Sequence, residues 1–347
     1  MKTAILTFQD AENYGAALQA FALKRICEEY SDVEILNYCN DYFHRDTSGT
    51  GIKALLKRIL NGRCSAQKTE RYYDFQKKYL TGAMEPIKKE KLKELDGQYD
   101  YFITGSDQVW NLDCSGNDLS YFLDFVKISK KVSYAASFGT SSYKADIIKR
   151  WLSDYFKISV REKTGMDIIN KTLGKEVPVV LDPTLLLDKN EWTKIFDLDF
   201  AENYVLIYEV LTGKYLFEQA KAFAVKHGLK LICITSTNKV RIGGQIIRNA
   251  GPIEWLRLFA GASYIFTNSF HGLAFSINFN KQFFVELLPP PAQTNTRIIE
   301  LLEKTNLLCR DSSKANELDE IQYEIINTVV EKERQNSINY LRSIFMR

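Results

Sequence analysis

The sequence predicts an α/β protein with two domains, each built on a parallel sheet. Short apolar, β-prone runs alternate with segments whose apolar residues recur at helical spacing, and this alternation begins afresh near residue 188. A chain of 347 residues is also long enough for two separate cores. We therefore assign residues 1–187 to an N-terminal domain and residues 188–347 to a C-terminal domain.

The first domain opens with a strand, a loop, a helix and a second strand. The strand AILTF (4–8) leads through DAENYG into ALQAFALKRICEEY, whose apolar spacing is helical, and VEILNY (33–38) follows. This order favours a parallel sheet. Further strands are predicted at YDYFIT (99–104), KVSYAAS (131–137), KISVRE (157–162) and VPVVLD (177–182).

The second domain repeats the alternation on a smaller scale. The helical segment KYLFEQAKAFAVKHG ends at Gly228, a residue typical of a helix C-terminus. The polar segment 317–347, with its spaced apolar residues, predicts a terminal helix. Strands are predicted at YVLIYEV (204–210), LKLICITS (229–236), SYIFTN (263–268) and QFFVEL (282–287).

The composition and charge of the chain argue against several classes of protein. The chain has 46 basic and 43 acidic residues and a net charge of +3, which argues against a nucleic-acid binder. Its six cysteines are scattered without a CxxC motif, so neither a zinc site nor a disulfide framework is indicated. No run is apolar enough for a signal peptide or a membrane span, and a cytoplasmic protein is expected.

One segment suits a membrane surface. IKALLKRIL (52–60) has the pattern of a short basic amphipathic helix, which can bind the anionic inner face of a membrane. The alternative is a solvated helix packed on the first domain.

The turns that follow strands are where ligands bind in parallel sheets. TNSFHG (267–272) follows the run SYIF and precedes a helical pattern. The first N–H groups of such a helix attract an anion, Ser269 adds a hydroxyl, and His271 can bind phosphate or move a proton. The alternative is an ordinary Ser269 N-cap followed by a packed histidine.

Two turns of the first domain carry further candidates. Arg161, in SVRE (159–162), can hold a carboxylate or phosphate with two hydrogen bonds, or form a surface ion pair. In TGSDQVWN (104–111), Asp107 suits a general base or a helix N-cap. The other polar and aromatic residues of this turn suit a sugar, or a capping turn with a buried indole; they are Ser106, Gln108, Trp110 and Asn111.

The remaining candidates have stronger alternatives. Asn13, followed by Tyr14 and Gly15, either lines a cleft or caps the first helix. Asp182-Pro183 reads most simply as a turn. Arg297 either reaches a ligand or lies exposed on the surface. For His44 and His227 we expect no catalytic role.

In this order, NYGAALQAFAL, YFITGSDQVWN, SYAASFG, SVRE, LDPTLLL and TNSFHG resemble the polysaccharide pyruvyl transferase family, from about residue 7 to residue 297. The resemblance implies two Rossmann-like domains facing a cleft, the architecture called GT-B, with the terminal helix 317–347. It also implies a transferase that takes phosphoenolpyruvate and forms a pyruvate ketal on a sugar of a polysaccharide or its lipid-linked precursor. No cofactor and no metal is required.

The resemblance also implies residue roles. Phosphoenolpyruvate would be held by Arg161 and His271, and we extend this donor site to Ser269, Phe270, Gly272 and Arg297. His271 would activate the phosphate, and Asp107 is the candidate base. We assign acceptor binding to Asn13, Tyr14, Gly15, Ser106, Asp107, Gln108, Trp110 and Asn111. Two alternatives stay open: a nucleotide-sugar glycosyltransferase of the same architecture, and a non-catalytic glycan-binding protein.

Overall fold

The computed structural model describes residues 1–43, 65–141, 143–200, 203–235, 243–288, 295–312 and 319–346. His44, the segment 52–60 and the prolines 289–291 lie outside these ranges. By its internal contacts the chain divides into two compact units. Unit 1 comprises Met1–Gly51, Tyr73–Leu186 and Lys332–Arg347, and unit 2 comprises Ile52–Tyr72 and Leu187–Glu331.

Unit 1 is built on a four-stranded parallel sheet in the order β2-β1-β3-β4. Its regular elements are β1 (Lys2–Leu6), α1 (Tyr14–Cys27), β2 (Asp32–Ile35), α2 (Lys89–Leu92), β3 (Tyr101–Thr104), α3 (Leu112–Ser115), β4 (Lys130–Ser133), α4 (Ala145–Leu152) and α5 (Lys163–Leu173). Helical residues 65–75, of which 65–72 belong to unit 2, continue into a π-helical turn of unit 1, Gln76–Leu80.

Helix α1 shows why this unit packs as it does. Asn13 caps it, because the Asn13 side chain accepts a hydrogen bond from the Ala16 N–H at 3.2 Å. Small and apolar residues cover most of the helix, and 12 of its residues are buried. A core of aromatic and aliphatic side chains fills the space around the sheet; it includes Phe102, Trp110, Tyr121 and Phe122.

Unit 2 is built on a five-stranded parallel sheet in the order β7-β6-β5-β8-β9. Its elements are α6 (Lys189–Phe196), β5 (Tyr204–Tyr208), α7 (Leu216–Lys226), β6 (Lys230–Ile234), β7 (Gln245–Ile247), α8 (Pro252–Gly261), β8 (Tyr264–Thr267), α9 (Phe270–Asn278), β9 (Gln282–Val285) and α10 (Asn295–Lys304), and α11 (Tyr323–Phe345) follows. The predicted α/β class with parallel sheets and a C-terminal helix is confirmed.

Three details correct the sequence analysis. KISVRE and VPVVLD form no strands but only single-residue parallel bridges, at Lys157, Val160 and Val179, since polar residues and Pro178 interrupt a ladder there. The short strand β7 was not predicted. The end of α11, assigned by sequence to the second domain, belongs to unit 1.

The contacts of α11 explain this last difference. The Ser337 hydroxyl accepts the Leu181 N–H at 2.9 Å, and the Tyr340 hydroxyl donates to the Ser133 carbonyl at 3.1 Å. The polar side of the helix therefore binds backbone groups of unit 1, a long-range pairing that helical spacing alone does not reveal.

Candidate functional site

The strand order of unit 2 reverses between β5 and β8, so their carboxyl ends mark the position where ligands bind in such sheets. Asn268, which directly follows β8, ties these two ends together. Its side chain accepts the Val210 N–H at 2.9 Å and donates to the Leu211 carbonyl at 2.7 Å. The loop after β5 is thereby fixed beside the SFHG turn.

The SFHG turn forms the start of helix α9. The Ser269 hydroxyl accepts the Gly272 N–H at 3.2 Å, which is the N-cap bond expected from sequence. A Cβ atom on Gly272 would lie 2.3 Å from Thr267 Oγ1, closer than such atoms approach. The Thr267 hydroxyl itself donates to the Tyr208 carbonyl at 2.7 Å, so it cannot easily move aside. Glycine is therefore required for the tight bend between β8 and α9.

Two groups that can carry positive charge lie at this helix start. His271 is buried in the first turn, and its ring lies edge-on to the Phe270 ring at 5.2 Å. The Arg297 guanidinium lies over the Phe270 ring, 5.6 Å from its centroid. Arg297 is only 7% exposed, so the expectation that it lies on the surface was wrong. The structure thus gathers Ser269, Phe270, His271, Gly272 and Arg297.

The neighbouring helix start is occupied by a carboxylate. Glu286, which follows β9, accepts N–H groups of Lys214, Tyr215 and Leu216 at 2.6, 3.1 and 3.0 Å. This carboxylate satisfies the N-terminus of α7, where the helix dipole favours negative charge. A second anion is therefore not favoured at α7.

In unit 1, Arg161 lies within a buried group of carboxylates. It donates to Asp182 at 2.7 Å and to Asp107 at 3.2 Å, and its Nε lies 3.9 Å from a Glu162 oxygen. Burial opposes the charged form of Arg161, but the attraction of Asp107, Asp182 and Glu162 outweighs it, and the pKa of the guanidinium is raised. The side chain is 1% exposed, so the alternative of a surface ion pair was wrong.

Glu162 has a second role beside Arg161. Its carboxylate accepts the Ser137 hydroxyl at 2.8 Å and the Phe138 N–H at 3.1 Å. It therefore fixes the loop that follows β4.

The turn after β3 is held from several sides. The Ser106 N–H donates to the Gln19 side chain at 3.1 Å, and the Thr7 hydroxyl donates to the Ser106 carbonyl at 3.1 Å. Asp107 has a φ of 69°, a left-handed conformation that is uncommon for a residue other than glycine. Such backbone conformations concentrate at functional sites. Asp107 is not a helix N-cap; Asn111 caps α3 instead.

The remaining predicted acceptor residues are placed as follows. Asn13 is exposed and serves as the α1 cap, and Tyr14 and Gly15 are buried in the first turn of that helix. Asn111 donates to the Gln108 side chain at 3.1 Å. Trp110 is 2% exposed and stacks on Phe122, so most of the indole belongs to the core.

A comparison with protein-family models identifies the relationship. The model described as polysaccharide pyruvyl transferase matches residues 13–285, which is well over half of the chain. The chain belongs to the polysaccharide pyruvyl transferase family. The site residues described above lie within this match except Thr7, which precedes it, and Glu286 and Arg297, which follow it. Membership supports a transferase that acts on a polysaccharide.

Other comparisons add no functional assignment. A comparison with curated proteins gave no match. The chain is similar to the UDP co-structure of MnaA from S. aureus, with 11% identity, a TM-score of 0.49 and coverage of 97% of this chain and 90% of the other. It is also similar to the E. coli heptosyltransferase WaaC with ADP, at 12% identity, a TM-score of 0.41 and coverage of 96% and 100%. The chain is also similar to a UDP-N-acetylglucosamine 2-epimerase from Rickettsia bellii, with 9% identity, a TM-score of 0.42 and coverage of 99% of this chain and 97% of the other.

Sequence reasoning missed several residues of these clusters. Asp182 was read as a turn residue, yet it also binds Arg161, and its position after the VPVVL run was the available signal. Asn268 stood within TNSFHG but received no role. Gln19 lies within helix α1, and Glu286 follows strand β9. No local sequence pattern marks either of them.

Two features are absent from the described ranges of the chain. No helix there is both long and apolar enough to cross a membrane. No group of three or more His, Cys, Asp or Glu side chains there is arranged to hold a metal ion.

Proposed function

We propose that this member of the family transfers the pyruvyl group of phosphoenolpyruvate to two hydroxyls of a sugar, forming a pyruvate ketal. The acceptor is a polysaccharide or its lipid-linked precursor. The observation that carries the proposal is the cluster of His271 and Arg297 at the start of helix α9, where the strand order of unit 2 reverses.

Phosphoenolpyruvate matches the chemistry of this cluster. The molecule carries a phosphate and a carboxylate close together, and both are anions. A helix start attracts an anion through its first N–H groups and its dipole. Arg297 supplies a planar set of donors suited to a carboxylate or phosphate, and His271 supplies an imidazole that can donate a hydrogen bond to a phosphate oxygen. These features support donor binding in unit 2.

The reaction requires one acid, one base and stabilisation of the departing phosphate. A proton is added to the methylene carbon of phosphoenolpyruvate, and a sugar hydroxyl adds to the central carbon while its own proton goes to the base. The carbon–oxygen bond to phosphate then breaks, and a second hydroxyl closes the ketal as its proton passes to the departing phosphate. We assign phosphate activation, and the proton that accompanies it, to His271.

Asp107 is our proposal for the base. Its side chain is 10% exposed, and it already accepts the Arg161 guanidinium at 3.2 Å and the Gln108 N–H at 2.9 Å. Both donors fix the orientation of the carboxylate. Arg161 then acts by positioning Asp107, in addition to the donor role that the family resemblance implies. The scheme needs no metal and no further cofactor.

The first test is thermal unfolding with and without phosphoenolpyruvate. A ligand at about a hundred times its dissociation constant stabilises the folded state by roughly 2.7 kcal/mol, which is a shift of a few degrees for a chain of this size. We expect this shift in the wild type and in His227→Ala, and none in His271→Ala. His227 is the matched control because it ends helix α7 in the same unit and stacks on Phe223.

Acceptor-dependent phosphate release completes the test. Wild-type protein should release phosphate from phosphoenolpyruvate only when a glycan acceptor is added, and Asp107→Asn should lower this rate by about 10²–10⁴-fold. Stabilisation by nucleotide diphosphates but not by phosphoenolpyruvate would favour a glycosyltransferase instead. Unchanged biological activity after alanine replaces both His271 and Arg161 would favour a non-catalytic glycan-binding protein.

A further inference from the structure

Unit 1 contains a cavity of about 120 Å³ at the carboxyl ends of β3 and β4. Its lining comes from the turn after β3, the 3-10 turn at Leu119–Phe122, the loop after β4 and the start of helix α4. Closed engineered cavities of roughly 150 Å³ hold a six-membered ring. This cavity is smaller but opens to solvent, so it can take one face of a ring while the rest of the ring projects outward.

The lining has two chemically different sides. The inner side is apolar: Leu112 and Ile147 are half-buried there, and behind them lie Trp110, Phe122 and Phe138, which are each at most 2% exposed. The mouth carries polar side chains of both charge signs, among them Asp113 and Lys144. A ligand that fits must therefore have an apolar face and several polar groups.

The polar groups at the mouth are available to a ligand. Across the described parts of the chain, the side chains of Asp113, Tyr143 and Lys144 take part in no hydrogen bond or ion pair with other residues. Asp113 can accept hydroxyl protons, and Lys144 can donate to hydroxyl oxygens. Because one acid and one base flank the opening, a neutral ligand is favoured over a second anion such as phosphoenolpyruvate.

The walls of the cavity are held in place before any ligand binds. The Gln108 side chain accepts the Asn111 amide, and a Cβ on Gly139 would lie 1.9 Å from Gln108 Oε1, so the two loops pack directly on each other. Glu162 fixes Phe138 by accepting its N–H at 3.1 Å. Ligand sites are usually preformed in this way.

We propose that this cavity holds one neutral pyranose ring of the glycan acceptor. The apolar face of the sugar packs on the half-buried side chains of Leu112 and Ile147, and its hydroxyls bind Asp113, Tyr143 and Lys144. The inference rests on the proposed function, because only an acceptor glycan gives a transferase reason to bind a sugar here. It assigns sugar recognition to three residues that no sequence motif marked.

The test is saturation-transfer NMR on the full chain with a panel of methyl pyranosides. The panel contains the glucoside, galactoside, mannoside and N-acetylglucosaminide. We expect transfer to the ring protons of at least one sugar in the wild type, and at least a fivefold loss in Tyr143→Ala and in Asp113→Asn. Lys149→Ala is the matched control, because Lys149 is exposed on the same helix α4 but does not line the cavity.

Three results would overturn the inference: no transfer to any pyranoside, equal transfer in all variants, or displacement of the sugar by phosphoenolpyruvate. Failure of the proposed function is distinguishable. If the chain binds a pyranoside here but is not stabilised by phosphoenolpyruvate, the sugar site is supported and the proposed donor is contradicted. If phosphoenolpyruvate stabilises the chain but no pyranoside binds, the donor is supported and this cavity is not the sugar site.

Discussion

Arg161 donates to Asp182 at 2.7 Å, and the two side chains are 1% and 0% exposed. With Asp107 and Glu162 also within 4 Å of the guanidinium, one buried cation is surrounded by three carboxylates. Such a group tolerates the loss of its cation poorly, because the carboxylates are then left buried without a counter-charge.

We therefore predict that Arg161→Ala lowers the free energy of unfolding by about 3–5 kcal/mol, measured by urea denaturation. Arg161→Lys should recover part of the loss, since a lysine keeps the charge but cannot reach two carboxylates with a planar fork. Arg150→Ala is the control: Arg150 is exposed and lies over Trp151, and its loss should cost less than about 0.5 kcal/mol. A loss in Arg161→Ala no larger than in the control would contradict this account.

Arg297 is predicted to act in donor binding through its place over Phe270. Arg297→Ala should raise the dissociation constant for phosphoenolpyruvate at least tenfold in calorimetric titration, because a charge-assisted hydrogen bond contributes about 1.5–3 kcal/mol. The dissociation constant of Arg297→Lys should lie between those of the wild type and Arg297→Ala, since lysine keeps the charge and loses the planar contact with the Phe270 ring. Arg257→Ala, an exposed arginine on α8, should bind as the wild type does. Unchanged affinity in Arg297→Ala would remove Arg297 from the donor site.

The elements that could be predicted from sequence are those set by local pattern. Most strands were located within a few residues, because their apolar runs are continuous and bounded by polar turns. The N-caps at Asn13 and Ser269 follow from the same local chemistry. What sequence could not give is long-range pairing: Arg161 meets Asp182 from 21 positions away, and Asn268 reaches Val210 from 58 positions away.

The burial of individual candidates was equally hidden. From sequence, Trp110 was either a sugar-site residue or a buried indole, and Arg297 was either a ligand-binding residue or a surface arginine; both side chains are nearly covered. Each is a residue type found both inside and outside proteins, so its local sequence does not decide between the two. The structure shows their burial through specific contacts: Phe122 packs on Trp110, and Arg297 lies over Phe270.

Gly272 is predicted to be irreplaceable for a steric reason. In Gly272→Ala the new methyl group would lie 2.3 Å from Thr267 Oγ1, and the bend before α9 must shift. Overpacking of this kind costs about 1–3 kcal/mol, and the response of the melting temperature to phosphoenolpyruvate should disappear. Both effects are read from thermal unfolding with and without the ligand.

Gly228→Ala provides the contrast for that experiment. Gly228 has a φ of 64° and open space around its Cβ position, so alanine there costs only the left-handed backbone, about 1–2 kcal/mol. The stabilisation by phosphoenolpyruvate should survive in this variant. If Gly272→Ala kept the full ligand response, the tight bend would not be needed for donor binding.

Lys281 is predicted to make the stability of the protein depend on pH. It is buried beneath the Phe200 ring, whose centroid lies 4.8 Å from Lys281 Nζ and 4.1 Å from Lys189 Nζ. Burial, and then repulsion by Lys189, lower the pKa of Lys281 from 10.5 to about 8. Between these two values the unfolded chain holds a proton that the folded chain has lost, so the free energy of unfolding rises with pH in this window.

The measurement compares urea denaturation of the wild type and Lys281→Met at pH 7, 8, 9 and 10. The wild type should gain stability relative to Lys281→Met as the pH rises above 8, by on the order of 1–3 kcal/mol, since one pKa unit corresponds to about 1.4 kcal/mol. Lys194→Met, at an exposed site on α6, should show no such difference. A constant gap between the wild type and Lys281→Met across this range would mean that Lys281 keeps its proton in the fold, and that its hydrogen bond to the Ala260 carbonyl, near the end of α8, is enough to hold the charge in place.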